Sequence, residues 1–134
     1  TGQYSQAIEA NQNALRINPE DDDALYNLGV AQERKGQYPQ AIEAYKKALR
    51  INPEFSKAWT RLGDTYWENS QYPQAIDAYQ KALEIYPEDA DAWYNLGVTY
   101  YLTNQSSKVM EVYQRLGKLN PAMADEFFNN FILP

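Results

Sequence analysis

Cysteine and histidine are both absent from the 134 residues. Without cysteine there is no disulfide framework, no thiolate nucleophile and no zinc site of the cysteine-bearing kind. Without histidine the chain lacks the commonest metal ligand and the commonest general base near neutral pH. No metal and no cofactor is therefore expected, and the chain is read as non-enzymatic. Positive charge is also scarce: 12 Lys and Arg stand against 18 Asp and Glu, a formal net charge of −6. That balance speaks against nucleic acid as a partner, because such binding neutralises phosphates with Lys and Arg. No apolar run reaches the roughly 18 residues that a membrane span needs. What remains is ordinary for a globular domain: 44% hydrophobic and 22% charged residues, apolar enough to bury a core.

The positive feature is self-similarity. Gln3-Tyr4-Ser5-Gln6-Ala7-Ile8-Glu9-Ala10 recurs 34 residues later as Gln37-Tyr38-Pro39-Gln40-Ala41-Ile42-Glu43-Ala44. It recurs again, at the same offset, as Gln71-Tyr72-Pro73-Gln74-Ala75-Ile76-Asp77-Ala78. The pairs Leu28-Gly29, Leu62-Gly63 and Leu96-Gly97 keep that register, as do Pro19, Pro53, Pro87 and Pro121. Each unit reads as two helices. Trp59, Leu62, Gly63 and Tyr66 mark one face of a helix from about Ser56 to Asn69, with Ser56 as its N-cap. Asp21 or Asp22, and Asp89, are the caps expected in the flanking copies. Pro73 suits a first helical position, and Ala75, Ile76, Tyr79, Ala82 and Leu83 form a second stripe ending near Ile85, before Pro87. Gly63, Ala75 and Ala82 leave room for two backbones to approach closely. One hairpin cannot bury all these large side chains, so neighbouring hairpins must stack.

The run Trp59-x-x-Leu62-Gly63-x-x-Tyr66, then Ala75-x-x-x-Tyr79-x-x-Ala82 and Pro87, resembles the tetratricopeptide repeat. The likeness extends over nearly the whole chain. It implies an all-α, right-handed superhelical solenoid of antiparallel helix pairs, forming a single domain over residues 1–134. In that frame 1–21 supply the second helix of a partial unit, and 22–55, 56–89 and 90–123 are complete units. Residues 124–134 begin a further unit or form a cap. Departures cluster at the ends. Val109 and Leu116 replace packing alanines, Gly117 falls inside a helix, and looser or shifted packing is expected there. Phe127, Phe128, Phe131 and Ile132 are candidates to cover the last core face. Ala7, Ile8, Ala14 and Leu15 have no preceding partner helix, so the chain reads as a piece of a longer array.

Function is sought on the side of the first helix opposite the core stripe. That side carries Tyr26, Asn27 and Val30, then Lys57, Arg61, Asp64 and Trp67, then Tyr94, Asn95, Val98 and Tyr101. The aromatic and apolar members form a patch of the kind that marks an interaction surface. The resemblance implies that first helices line a concave groove where partner peptides lie, with Asn27 and Asn95 gripping peptide backbone. Asn27, Lys57 and Arg61 also stand in columns that resemble those of carboxylate-binding members, so an acidic segment or a C-terminal carboxylate is an expected ligand. Asp21, Asp22 and Asp23 read as caps rather than a calcium loop, lacking its glycine and distal Glu. Trp59 and Trp93 read as core. The function expected is protein–protein interaction, as a scaffold or adaptor holding a peptide or partner helix. Two alternatives stand beside it: a scaffold that self-associates through its repeat ends, and the substrate-recognition arm of an enzyme whose catalytic domain lies elsewhere.

Overall fold

The computed structural model describes residues 2–134; Thr1, the first residue of the expected partial unit, lies outside the described residues. Eight helices follow one another: α1 (Gly2–Ile17), α2 (Asp22–Arg34), α3 (Tyr38–Ile51), α4 (Ser56–Glu68), α5 (Tyr72–Ile85), α6 (Ala90–Leu102), α7 (Ser106–Leu119) and α8 (Pro121–Phe131). Local chemistry sets the boundaries. The Asp21 carboxylate accepts from the Ala24 N–H at 3.0 Å, and Asp89 accepts from the Ala92 N–H at 3.1 Å. Ser56 is not the cap of α4, as the sequence had led us to expect. Phe55 holds that place with no side-chain cap, its ring against Tyr26 at 5.0 Å. Each hairpin turns at one left-handed residue, and Gly36, Ser70 and Asn104 take this role with φ of 81°, 60° and 60°.

The glycines serve the hairpins, though not by bringing backbones together. A Cβ on Gly29 would lie 2.6 Å from the Tyr45 ring, and one on Gly63 would lie 2.7 Å from the Tyr79 ring. Each glycine is a socket for the aromatic ring of its partner helix, and both rings are buried. Trp59 and Trp93, expected in the core, are only half-buried. Their indole N–H groups donate to the Pro53 and Pro87 carbonyls at 2.9 and 2.8 Å, fastening the loops that precede their helices.

Packing shifts in the final hairpin. Tyr113 stands where Tyr45 and Tyr79 stand, yet it is half-exposed and lies on Phe128 at 5.4 Å. The socket at Gly97 is filled by Phe127 of α8 and by Val112. Helix α8 begins at Pro121 rather than near residue 124, with Asn120 capping it through the Met123 N–H at 3.1 Å. Phe127 is completely buried, and Phe131 and Ile132 pack beside it.

Curvature follows from which helices touch. Close backbone approaches run α2 to α4, α4 to α6 and α6 to α8, whereas among the described residues none joins any two of α1, α3, α5 and α7. The more crowded layer lies on the inside of the curve. First helices therefore line the concave side.

Candidate functional site

The concave side holds a cavity of about 360 Å³ lined by Glu33 of α2, Asp64, Trp67 and Glu68 of α4, Tyr79 of α5, and Asn95 and Val98 of α6. Four of these residues, Asp64, Trp67, Asn95 and Val98, belong to the face read from the sequence. Glu68 and Tyr79 lie outside that face, and Glu33, which shares that side of α2, is not among the residues expected to line the groove. The recurrence of tyrosine at 45 and 79 is a signal for the network beneath, because a tyrosine ring that fills a core socket sends its hydroxyl out the far side.

Two carboxylates receive those hydroxyls. Tyr45 donates to Glu33 at 2.8 Å, and Tyr79 donates to Asp64 at 2.5 Å. Burial first, and the carboxylate each one serves second, push both phenols far above the ordinary tyrosine range. Both hydroxyls therefore stay protonated as donors. Glu33 also pairs with the Arg61 guanidinium at 3.5 Å, and the Thr65 hydroxyl lies 3.2 Å from it while donating its one proton to the Arg61 carbonyl at 2.8 Å. Asp64 accepts a further N–H from the Asn95 amide at 3.1 Å. Burial pushes the Asp64 carboxyl up to about 6 against the Tyr79 hydrogen bond, with Glu33 repelling it further.

The remaining face residues do other work. Tyr26 lies over Tyr45 at 5.9 Å, and it and Val30 pack half-buried on the core around Ala41, Tyr45 and Leu62. The expectation that these side chains point away from the core is thereby corrected. Trp67, Tyr94 and Val98 likewise pack half-buried on the second core cluster while keeping part of their surface open. Tyr94 meets Phe127 and Phe131, and Tyr101 meets Phe131 at 5.2 Å, so the chain's own α8 covers that end of the face. Asn27 and Lys57 are exposed and do not line the cavity. Of the positive centre expected at Lys57 and Arg61, Arg61 is paired with Glu33 and Lys57 stands outside the cavity, whose lining carries carboxylates as its charged groups.

Asp21, Asp22 and Asp23 are the one group of acidic side chains, among the described residues, close enough to share a cation. Asp21 caps α2, and Asp22 accepts from the Asn52 amide at 2.9 Å. Among the described residues no helix is long and apolar enough to cross a membrane.

Stacked helical hairpins with a 34-residue register, glycine sockets and a concave first-helix layer define a class of superhelical interaction scaffold. Models of the TPR repeat match residues 1–36 and 63–104, and tetratricopeptide-repeat models match 22–55, 44–77 and 90–125. The chain belongs to the tetratricopeptide-repeat family. None of the curated proteins matches it. Among solved structures, one of MamA superposes with a TM-score of 0.86 at 25% identity, covering 96% of this chain and 86% of that one. A second MamA structure gives 0.86 at 26% identity, over 96% and 73%. YrrB, described as a TPR protein with an unusual peptide-binding site, superposes with a TM-score of 0.81 at 19% identity, over 96% and 69%. The all-α TPR solenoid is thus established, and with it a protein–protein interaction scaffold.

Proposed function

We propose that the concave face holds an extended segment of a partner protein, seated at the cavity between α2, α4 and α6, so that the chain acts as an adaptor. The observation that carries this reading is the cavity itself, where Trp67 and Val98 leave apolar surface open beside hydrogen-bonding groups. The Asn95 amide is positioned to meet peptide backbone as well as Asp64. A carboxylate ligand is less well served, because the one guanidinium near the cavity is already paired. The test is to select peptides from a random displayed library on the chain and measure their affinity for Trp67→Ala and Val98→Asp. Selected peptides should lose binding to both variants while the helical circular dichroism is unchanged. Peptides indifferent to both would put the docking surface elsewhere.

A second reading, self-association, is favoured by α1. It has no fully buried residue, and Ile17 at its end is 88% exposed. Light scattering over a wide concentration range decides it, since a strict monomer at the highest concentration would dismiss this reading.

A further inference from the structure

Inside the concave cavity the supply of donors and acceptors is uneven. The Tyr79 hydroxyl and the Asn95 N–H both go to one oxygen, Oδ1 of Asp64. The Tyr45 hydroxyl and the Arg61 guanidinium go to Glu33, and the Thr65 hydroxyl goes to the Arg61 carbonyl. Among the described residues nothing donates to the second Asp64 oxygen, to the Asn95 amide oxygen or to the Glu68 carboxylate. The lining therefore presents more spare acceptors than spare donors, which among the described residues are one Asn95 N–H and the Trp67 indole N–H, and its carboxylates favour a ligand that brings several N–H groups and positive charge.

A divalent metal is a poor answer. Glu33, Asp64 and Glu68 do not bring their carboxylates close enough together to share one ion, as the only acidic trio that does so among the described residues is Asp21 to Asp23. A longer organic cation fits better. Trp67 and Val98 offer apolar wall for a methylene stem, and the Trp67 ring adds a face that attracts cations.

We propose that this cavity takes a lysine or arginine side chain carried by the partner segment, with its head among Glu33, Asp64, Glu68 and the Asn95 amide oxygen and its stem along Trp67 and Val98. The inference rests on the concave-face reading above and names the residue type that face selects. Charge complementarity extends beyond the cavity, since the whole chain carries −6 and will steer a basic segment at low salt. The groups facing Asp64 are Glu33 from α2, Arg61 and Glu68 from α4, Tyr79 from α5 and Asn95 from α6. Burial pushes the Asp64 carboxyl up to about 6. Mild acid should therefore remove the Asp64 charge from the cavity.

The probe is a set of peptides selected from a random displayed library, resynthesised with a fluorophore and titrated by anisotropy against the full chain. Peptides that depend on Trp67 should share a Lys or Arg at one position. Replacing that residue by norleucine or citrulline should weaken binding by about tenfold or more, and so should Asp64→Asn combined with Glu68→Gln. Combining the peptide change with the protein change should cost little more than either alone. Affinity should also fall by about tenfold from pH 7.5 to pH 5, with a clearly smaller fall in Asp64→Asn. Trp67-dependent peptides that share no basic residue, or that tolerate norleucine, would overturn this inference and leave the groove reading standing. Finding no Trp67-dependent peptide at all would overturn both.

Discussion

Asp64 makes the strongest quantitative test of the site's electrostatics. Its carboxyl is pushed from 3.8 to about 6, so the folded chain holds that proton more tightly than the unfolded chain does. Between those two values stability falls as the pH rises, because the ionised form is the one that the folded environment disfavours. Below the lower value Asp64 is protonated in both states and the penalty vanishes. Above the upper value the penalty is fully present. A shift of this size corresponds to roughly 3 kcal/mol, and partial exposure of the side chain reduces the expectation to about 1–3 kcal/mol. Asn is the informative replacement, since its amide oxygen still accepts from Tyr79 and Asn95 without carrying charge. Asp64→Asn should therefore raise stability by about 1–3 kcal/mol at pH 7.5, a melting-temperature rise of roughly 3–10 °C. The gain should shrink at pH 5 and disappear below pH 4. Thermal and urea melts followed at 222 nm, for wild type and variant across that range, supply the measurement. A variant less stable than wild type at pH 7.5, or a gain that ignores pH, would refute the assignment of a desolvated carboxylate at this position.

Two further substitutions probe the scaffold. Gly63→Leu puts its first side-chain carbon 2.7 Å from the Tyr79 ring and the rest of the side chain beyond it. It should cost about 3 kcal/mol or more by overpacking, whereas Gly117→Leu, where a Cβ meets nothing within 4 Å, should not; equal melting temperatures would dispose of the socket. Gln32 is buried with its amide oxygen unpaired, in the column that Tyr66 and Tyr100 occupy in the next two units. Gln32→Tyr should stabilise by about 1 kcal/mol in urea melts, and a loss of stability would mean that the oxygen has a partner after all.

The periodic part of the molecule was legible in the residues because each repeated landmark has a local cause. Pro39 and Pro73 lie in first turns, Asp21 and Asp89 cap helices, and Ile85 ends α5 before Pro87. Gly63 was recognised as a contact point, but its partner was mistaken, since spacing says that space is needed without saying what fills it. The site was legible only in part. Asp64, Trp67, Asn95 and Val98 follow from the angular position of each residue on its helix. The pairing of Arg61 with Glu33, by contrast, joins residues 28 apart in different units. It depends on how one hairpin is rotated against the next, which no single-helix pattern encodes. Tyr26, Val30 and Trp67 all pack half-buried on the core, a placement that the helix period alone does not give.

The cavity owes its character to the places where the repeat is broken, not to the repeat. Asp64 stands in a column that is Val30 and Val98 in the flanking units, and Glu33 in one that is Trp67 and Tyr101. A strictly periodic chain would line its inner face with valine and aromatic rings, which would close against one another. Charge in the middle hairpin prevents that closure, and Tyr45 and Tyr79 hold the carboxylates in fixed positions from below. The final hairpin is broken in a different way. Val112 enters the Gly97 socket where a smaller Ala78 stands one unit earlier, Tyr113 turns out, and Phe127 fills the space from α8. Phe131 then lies against Tyr94 and Tyr101, narrowing the open face at α6 while Tyr101 stays about half exposed. One set of departures places a polar cavity at α4, and the other lays α8 against part of the face beyond it. On the proposed reading, a partner segment would find its best-defined contact at the middle unit, where the surrounding fold is most regular and best able to hold acceptor groups in place.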